Sequence, residues 1–300
     1  MSQSPSEPQK MNPSTSLLPR ESNEPRTNIP IRLTLTFSLV LFYALNAFCQ
    51  PLHLISWNIE NLGISKDAVE IRFIAQTIRT ADIIALQEVV AGDGGAQAVA
   101  RIVNELNTMG SSWDYIVSDP TFSSSYKTER YAYLWKKHRV KLAGQAWLQK
   151  GEYAVLIDRE PYFATFEQNG KKFTLVNFHA ITKSKQPETE IKYFKFFPDL
   201  YPGQNLIFLG DFNLPQSHTV FNPLKSQGYN PLLIGQKTSL KQTCQSNDCL
   251  ASEYDNIFYH GNKIQIHDKG IIHFYKQTET FEAACGISDH VPVFMKFSVK

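Results

Sequence analysis

The sequence LIFLGDFN, residues 206–213, joins a short apolar run to two polar side chains. Four apolar residues before Gly210 are too few for a helix, so they predict a buried β-strand. Side chains two apart in a strand point the same way, so Asp211 and Asn213 should face one pocket. A carboxylate beside a carboxamide suits a metal ion or a phosphate group, although an ordinary turn is the alternative for this segment.

The length and composition predict one folded domain behind a long leader. The chain has 300 residues, of which 42% are hydrophobic and 12% aromatic, enough for a large core. Residues 1–30 are rich in Ser, Pro, Asn and Glu, which predicts a disordered leader. Residues 31–49 contain an uncharged apolar run of 33–48, shorter than the ~20 residues of a membrane-crossing helix. We interpret it as a signal peptide of a secreted or periplasmic protein, with a retained signal anchor or a core segment as alternatives.

The charge balance and the cysteines limit what the domain at 50–300 can be. Four of the 30 Lys and Arg residues and three of the 28 Asp and Glu residues fall in 1–49, so the remaining domain is nearly neutral. Contact with a polyanion would therefore need local patches. Cys244 and Cys249 predict a small disulfide loop because a zinc site would need further ligands. Cys285 remains as a buried thiol.

Further strands and helices follow from periodicity. Apolar residues from Ile71 to Ile78 have helical spacing, and Ser65 is the predicted N-cap of this helix. The same spacing predicts helices over 98–106 and 187–200 and a short helix over 220–227. The rest of 214–253 looks irregular. Alternating strands and helices, followed by denser strands, predict two packed sheets with helices outside. Strands are predicted at 53–58, 83–86, 113–117, 131–135, 162–166, 172–178, 257–259 and 291–297.

Polar side chains collect at the ends of these strands. They include carboxylates suited to a hard cation and two histidines, each with an acid available to orient it. Cleaving a phosphodiester needs an activated water, charge stabilisation and a proton for the leaving group, and this set could supply all three. The residues are Asn58, Glu88, Glu129, His179, Asp211, Asn213, Asp255, Asp289 and His290.

Eight short motifs give a specific resemblance. They are WNIENLG, LQEV, YKTERY, REP, NFHA, LGDFN, EYDN and ISDHVPV, in this order across residues 52–298. The chain resembles the endonuclease/exonuclease/phosphatase superfamily, and YKTERY, His179 and Arg159 of REP favour its deoxyribonuclease I branch. The resemblance implies an α/β fold, a four-layered sandwich in which two packed mixed β-sheets are flanked by helices.

The resemblance also implies roles and ligands. Mg²⁺ is the implied cofactor, with Mn²⁺ as a substitute and Ca²⁺ as a further candidate, and DNA is the implied substrate. The implied form is a monomer without a stable protein partner. The roles are Glu88, Asp289 and Asn58 for the metal; His290 with Asp255 as the base, or Asp211 instead; His179 with Glu129 as the acid; and Asn213, Asn58 and Arg159 for the phosphate.

Three departures concern the substrate. Glu60, Val90 and Asn256 stand where vertebrate nucleases of this branch carry arginines that contact DNA, which lowers the expected affinity for duplex DNA. A compensating patch could come from Tyr126, Lys127, Arg130, Lys183 and Lys185. The alternatives are a phosphatase or a lipid phosphodiesterase of the same superfamily, and a non-catalytic binding module on the same scaffold.

Overall fold

The computed structural model describes residues 50–123, 128–245 and 248–300. The predicted leader at 1–30 and signal peptide at 31–49 lie outside these ranges, as do Tyr126 and Lys127 of the predicted patch. None of the helices in the described ranges is long and apolar enough to span a bilayer.

The described residues form strands along the whole domain. In chain order they are β1 (Leu52–Leu62), β2 (Ile83–Val90), β3 (Trp113–Val117), β4 (Glu129–Lys136), β5 (Lys141–Leu142), β6 (Trp147–Leu148), β7 (Tyr162–Gln168), β8 (Lys171–His179), β9 (Leu206–Asp211), β10 (Tyr229–Pro231), β11 (Leu240–Gln245), β12 (Asp248–Leu250), β13 (Asp255–His260), β14 (Ile264–Ile271) and β15 (Val293–Val299).

Two mixed sheets contain nearly all of these strands. The first has the order β14-β15-β1-β2-β4-β3, and the second has β10-β13-β9-β8-β7-β5 with β6 also paired to β7. Each sheet has one parallel pair, β1 with β2 and β8 with β9, and its other pairs are antiparallel. The carboxyl ends of each parallel pair therefore lie together at one edge of its sheet.

The strands are apolar on both faces because both faces are covered. In β9, Ile207 and Leu209 pack between the sheets, whereas Leu206 and Phe208 pack on the outer side beneath Phe194 and Phe197. In the first sheet the outer side carries the two long helices. A buried Leu, Ile or Phe contributes about 1.5–3 kcal/mol. The result is helices, sheet, sheet and helices, which confirms the predicted four-layered sandwich.

The helices are α1 (Ala68–Ile78), α2 (Asp93–Thr108), α3 (Glu152–Leu156), α4 (Glu188–Ile191), α5 (Phe197–Leu200), α6 (Asn222–Ser226) and α7 (Phe281–Ile287). The predicted cap at Ser65 is wrong. Asp67 caps α1 by accepting from the backbone N–H groups of Val69 and Glu70, and the Glu70 carboxylate accepts from the N–H of Asp67. This capping box satisfies donors that Ser65 does not reach.

Three other predictions fail in detail. The helix predicted over 187–200 is broken into α4, a 3₁₀ turn at Phe194–Phe196 and α5. The segment 214–253 is less irregular than predicted, because β10, β11 and β12 lie within it. The strand β14 and the helix α7 were not predicted at all. Most side chains of β14 are exposed, since it lies at the sheet edge and shows no clean alternation.

One prediction about the cysteines is confirmed in full and the other only in part. Cys244 and Cys249 form the predicted disulfide, which joins β11 to β12 with the two Cα atoms 4.4 Å apart. Cys285 is free as predicted, but it is half-buried on α7 and not fully buried. Its Sγ lies 4.0 Å from the carbonyl oxygen of Lys241 on β11. The hairpin and α7 thus pack against each other next to the segment that leads to His290.

Candidate active site

The polar strand ends meet at a single cleft of about 570 Å³. The parallel pair of the first sheet brings Asn58 and Glu88 there, and that of the second brings His179 and Asp211. Asn58 and Asp255 lie behind the surface of the cleft, while the other predicted site residues line it. The lining residues are Asn61, Glu88, Val90, Ala91, Thr128, Glu129, Arg159, His179, Thr182, Asp211, Asn213, Ser239, Leu240, Tyr254, Asp289 and His290.

Register places three of these residues side by side in the second sheet. Asp211 pairs with His179 on β8 and with Asp255 on β13. Gly210, just before Asp211, has φ of +130°, and a Cβ there would lie 1.9 Å from the Phe178 carbonyl oxygen. Only glycine tolerates that approach, which explains why the apolar run of β9 ends with it.

Glu88 leaves its strand in a conformation that is unusual for its residue type. Its φ is +59°, and the ladders of β2 with both neighbouring strands shift register at this point. The bulge turns the carboxylate towards Asn58, whose Nδ2 donates to Oε1 at 3.0 Å, and the Asn61 N–H donates to Oε2 at 3.2 Å. Positive φ in a non-glycine residue costs about 1–3 kcal/mol and is concentrated at functional sites.

His179 is held by an acid from the other sheet. Its Nδ1 lies 3.0 and 3.1 Å from the two carboxylate oxygens of Glu129 on β4. Its backbone N–H donates to the hydroxyl of Tyr131, two residues further along β4. Burial lowers the pKa of His179, but the charges of Glu129 and Asp211 outweigh that effect and the pKa is raised overall. The predicted pairing of His179 with Glu129 is therefore present.

His290 is held in the same way from the opposite side. Its Nδ1 lies 2.6 Å from Oδ2 of Asp255, while its own N–H donates to Ser288 Oγ. Burial lowers the pKa of His290, yet Asp255 and Asp211 raise it well above the usual value. Burial is the main reason that the pKa of Asp255 rises to about 6. Asp255 therefore holds Nδ1 of His290 as Glu129 holds Nδ1 of His179.

Asp211 lies between the two imidazoles. Its Oδ2 is 3.5 Å from Nε2 of His179 and 3.6 Å from Nε2 of His290, and it accepts from Asn58 Nδ2 at 3.2 Å. Burial would raise the pKa of Asp211, but the positive charges of His290 and His179 lower it instead. Both rings thus present Nε2 to one ionised carboxylate, and each Nδ1 is turned to its own acid.

Arg159 does not stand free to hold a phosphate. Its guanidinium is buried, with Nε donating to the carbonyl oxygen of His179 at 3.0 Å, Nη1 to Glu129 at 3.2 Å and Nη2 to the carbonyl oxygen of Ala180. Three of its five N–H groups are committed in this way. The structure therefore gives Arg159 a role that the resemblance did not imply: it fixes the acid that orients His179. Contact with a phosphate through the remaining N–H groups stays a prediction.

Asn213 is likewise tied to the segment after β8. Its Nδ2 donates to the carbonyl oxygen of Ala180 at 3.1 Å, and its N–H donates to Oδ1 of Asp211 at 2.8 Å. Its φ is +52°. The side chain still lines the cleft with one amide N–H uncommitted. Its predicted phosphate contact is thus compatible with the geometry.

The donors around Glu88 fit a divalent cation. Oδ1 of Asn58 is buried and has no hydrogen-bond partner, an uncompensated cost that a cation or water would remove. Burial and the negative charges of Asp289 and Glu88 raise the pKa of Glu60, which marks excess negative charge here. Glu88 is half-buried, and the Asp289 side chain is 55% exposed. Hard oxygen donors of this kind suit Mg²⁺ or Ca²⁺.

A tighter group of possible ligands differs from the predicted set. Among the described residues, Asp211, Asp255 and His290 can each offer one ligand atom, and these three atoms lie within 4.8 Å of one another. Within this group Nδ1 of His290 is already bound to Asp255, as in a hydrogen-bonded acid–imidazole pair. The assignment of Glu88, Asp289 and Asn58 as metal ligands accordingly stays a prediction.

Several supporting residues were missed in the sequence. Ser288 Oγ donates to the carbonyl oxygen of Asn58 at 2.6 Å, and Thr238 Oγ1 accepts from the backbone N–H groups of Tyr254 and Asp255. Thr238 offered no signal, since its partners are sixteen or more residues away. Ser288 could have been found, because a serine directly before Asp-His in ISDHV is well placed to cap that turn.

The layered fold and the paired acid–imidazole site define a class of phosphoester hydrolases. The chain belongs to the Endonuclease/Exonuclease/phosphatase family, whose profile matches residues 55–290. Members of this family are hydrolases that generally depend on a divalent metal. No curated protein matches the sequence significantly.

Solved structures agree with this fold at low sequence identity. A humanized D. rerio TDP2 has a TM-score of 0.61 at 17% identity, covering 82% of this chain and 98% of its own. Another D. rerio TDP2 structure contains a single strand DNA product. The human Nocturnin catalytic domain with bound sulfate has 0.57 at 16%, covering 83% and 95%. The mannosyl-6-phosphatase of Bacteroides thetaiotaomicron has 0.56 at 17%, covering 82% and 99%.

Proposed function

We propose that the protein is an exported, metal-dependent phosphodiesterase that hydrolyses DNA with low sequence specificity. The observation that carries the proposal is the placement of Asp211 between Nε2 of His179 and Nε2 of His290, with a second acid behind each ring. Two imidazoles held on opposite sides of one pocket can divide the base and acid roles that phosphodiester cleavage requires.

His290 and Asp255 form the base side. Asp255 keeps the ring in one orientation, so that Nε2 faces the cleft and takes a proton from the attacking water. Asp211 is the alternative base, since its lowered pKa keeps it ionised and its Oδ2 also faces the cleft. The raised pKa of His290 keeps its ring protonated to higher pH than a free imidazole, so Asp211 is the base below that pKa and His290 is the base above it.

His179 and Glu129 form the acid side. The raised pKa of His179 favours the protonated ring, whose Nε2 can then protonate the leaving oxygen. Asn213 contributes an amide N–H to the phosphate. Glu88, Asp289 and Oδ1 of Asn58 would hold a Mg²⁺ ion, or Mn²⁺ in its place, which would stabilise negative charge on the phosphoryl oxygens.

Support for DNA comes from the deoxyribonuclease-like motifs and from the TDP2 neighbour that holds a single strand DNA product. Support for export comes from the apolar run at residues 33–48. A phosphomonoesterase is the second candidate, because a mannosyl-6-phosphatase shares the fold and because the one Lys or Arg side chain among the described lining residues is committed to protein partners.

The test is nicking of supercoiled plasmid by purified protein, with Mg²⁺ and with a chelator. We expect nicking only with the metal, and losses of roughly 10²–10⁴-fold in His179→Ala and in His290→Ala. Glu88→Gln should lose activity with a raised Mg²⁺ requirement. His138→Ala is the matched control, since His138 is exposed and does not line the cleft. Full nicking in both cleft variants would refute the proposed roles, and hydrolysis of p-nitrophenyl phosphate without nicking would favour the phosphomonoesterase.

A further inference from the structure

The cations nearest the cleft are occupied by the protein itself. Arg159 donates to Glu129 and to the carbonyl oxygens of His179 and Ala180. Arg130, in the motif next to Glu129, donates to the carbonyl oxygens of Ala91 and Ser118 at 2.7 and 2.8 Å.

Lys66, close to the acids at the other side of the cleft, is committed in the same way. Its buried Nζ donates to the carbonyl oxygens of Gly286 and Ile287 at 2.7 and 2.9 Å. Of the cationic side chains considered for DNA contact within the described ranges, only Lys183 and Lys185 are exposed, on the turn after Thr182.

With so few free cationic side chains among the described residues near the cleft, tight binding of duplex DNA is not expected. Affinity for a duplex comes mainly from neutralised phosphates, and proteins that bind it well make about 6–10 such contacts. Within the described ranges, the exposed lysines closest in sequence to lining residues are Lys183 and Lys185 beside Thr182 and Lys237 before Ser239, and they leave room for few such contacts.

Beside His290 and Asp289, the cleft is also lined by one aromatic and one apolar side chain. Tyr254 lines the cleft with its ring 6.3 Å from the His290 ring and tilted 29° from it. Its backbone is fixed, because its N–H donates to Thr238 Oγ1 and its carbonyl oxygen accepts from Phe212. Leu240 stands beside it, with its N–H bound to the carbonyl oxygen of Asp289. A half-buried, rigidly held tyrosine at the mouth of a cleft is a suitable surface for a flat, uncharged group.

We propose that the cleft binds one unpaired nucleoside of single-stranded DNA, next to the scissile phosphate, with the base stacked against Tyr254. The inference rests on the proposed function and specifies its substrate. A base in a duplex is paired and stacked inside the helix, and it reaches Tyr254 only after unstacking. Single-stranded DNA offers the base directly, so that stacking on an aromatic ring adds to the affinity that phosphate contacts provide. Tyr254 thus determines the preference for single-stranded over duplex DNA.

The experiment compares hydrolysis of a fluorescent single-stranded oligonucleotide with that of the same strand in a duplex. For the native protein with Mg²⁺, we expect kcat/KM at least tenfold higher on the single strand. We also expect a weak salt dependence on that substrate, with a slope of about −1, since one or two phosphates are neutralised at ~0.7 each. Tyr254→Ala should raise KM for the single strand about tenfold, while Tyr254→Phe, which keeps the ring, should stay close to the native KM.

The outcomes separate this inference from the proposed function. A native protein that prefers the duplex overturns the inference alone. Equal losses of kcat on both DNAs in Tyr254→Ala also overturn it, because they would show that Tyr254 acts only by supporting His290. Hydrolysis of neither DNA by the native protein refutes the proposed function and the inference with it. The strand preference of the native protein keeps the test decisive if Tyr254→Ala does not fold.

Discussion

Replacing Arg159 with lysine tests whether this side chain positions the acid or binds the substrate. Lysine keeps the positive charge but cannot reproduce a planar fork that serves Glu129 and two carbonyl oxygens at once. Glu129 is buried, and its carboxylate would lose its rigid partner. Breaking a buried pair by removing one partner costs about 3–5 kcal/mol, and retention of the charge should place this variant near ~3 kcal/mol.

That loss should be visible in thermal unfolding. One kcal/mol shifts the Tm of a domain of about 250 residues by roughly 2–4 °C, so Arg159→Lys should unfold about 6–12 °C lower. Activity should fall as well, because His179 depends on Glu129 for its orientation. A misplacement of about 1 Å in a catalytic group costs on the order of 10²-fold in rate. We therefore expect kcat on a small phosphodiester to fall by about 10²-fold, with KM nearly unchanged.

Arg139→Lys supplies the matched control. Arg139 forms a comparable fork with Asp82, at 3.1 and 3.2 Å, but it lies beside Pro51 at the start of β1, away from the cleft. It should lose stability without losing kcat. The reasoning would be refuted if Arg159→Lys kept the native kcat and raised KM instead, because that pattern identifies loss of a substrate contact.

Four further changes have defined outcomes. Glu129→Gln removes the charge that raises the pKa of His179, so the alkaline limb of kcat/KM against pH, where the acid is lost by deprotonation, should move to lower pH. Replacing Cys249 with serine opens the disulfide, and for so short a loop the free energy of unfolding should fall by about 2 kcal/mol in a denaturant titration under oxidising conditions. Asp67→Ala removes the cap of α1 and should cost about 1 kcal/mol in the same titration, with unchanged nicking. Asn58→Ala should weaken Mg²⁺ binding measured by calorimetry, and an unchanged Mg²⁺ affinity would remove Asn58 from the ligand set.

Much of the scaffold could be predicted because its strands are covered on both faces. Runs such as Leu206 to Leu209 can only be buried strands, and polar residues that end such runs must reach an edge of the sheet. The same logic located Glu88 and His179. It failed where burial is one-sided or slight: β14 is an edge strand, and the hairpin of β11 and β12 is held by a disulfide and shows little apolar alternation.

The role of Arg159 could not be predicted for a different reason. Its partners are a carboxylate 30 residues earlier and carbonyl oxygens 20 and 21 residues later, and backbone acceptors carry no mark in a sequence. The same holds for Lys66 and Arg130, whose hydrogen bonds to described residues go to carbonyl oxygens. Counting cations in a sequence therefore overestimates the charge available to a substrate, since buried guanidinium and ammonium groups first satisfy the backbone.

The alignment of the two sheets also depends on polar residues that look out of place. Gln87 Nε2 donates to Asn177 Oδ1 at 2.5 Å, and Asn177 Nδ2 donates to the carbonyl oxygen of Leu86 at 3.0 Å, across the apolar layer between the sheets. An apolar interface alone could slide, whereas buried amides are costly unless they meet their partners, so this bridge selects one arrangement. Gln87 directly precedes Glu88, and Asn177 lies two residues before His179. The polar residues within LQEV and NFH therefore bring the two distant strand ends to a common cleft.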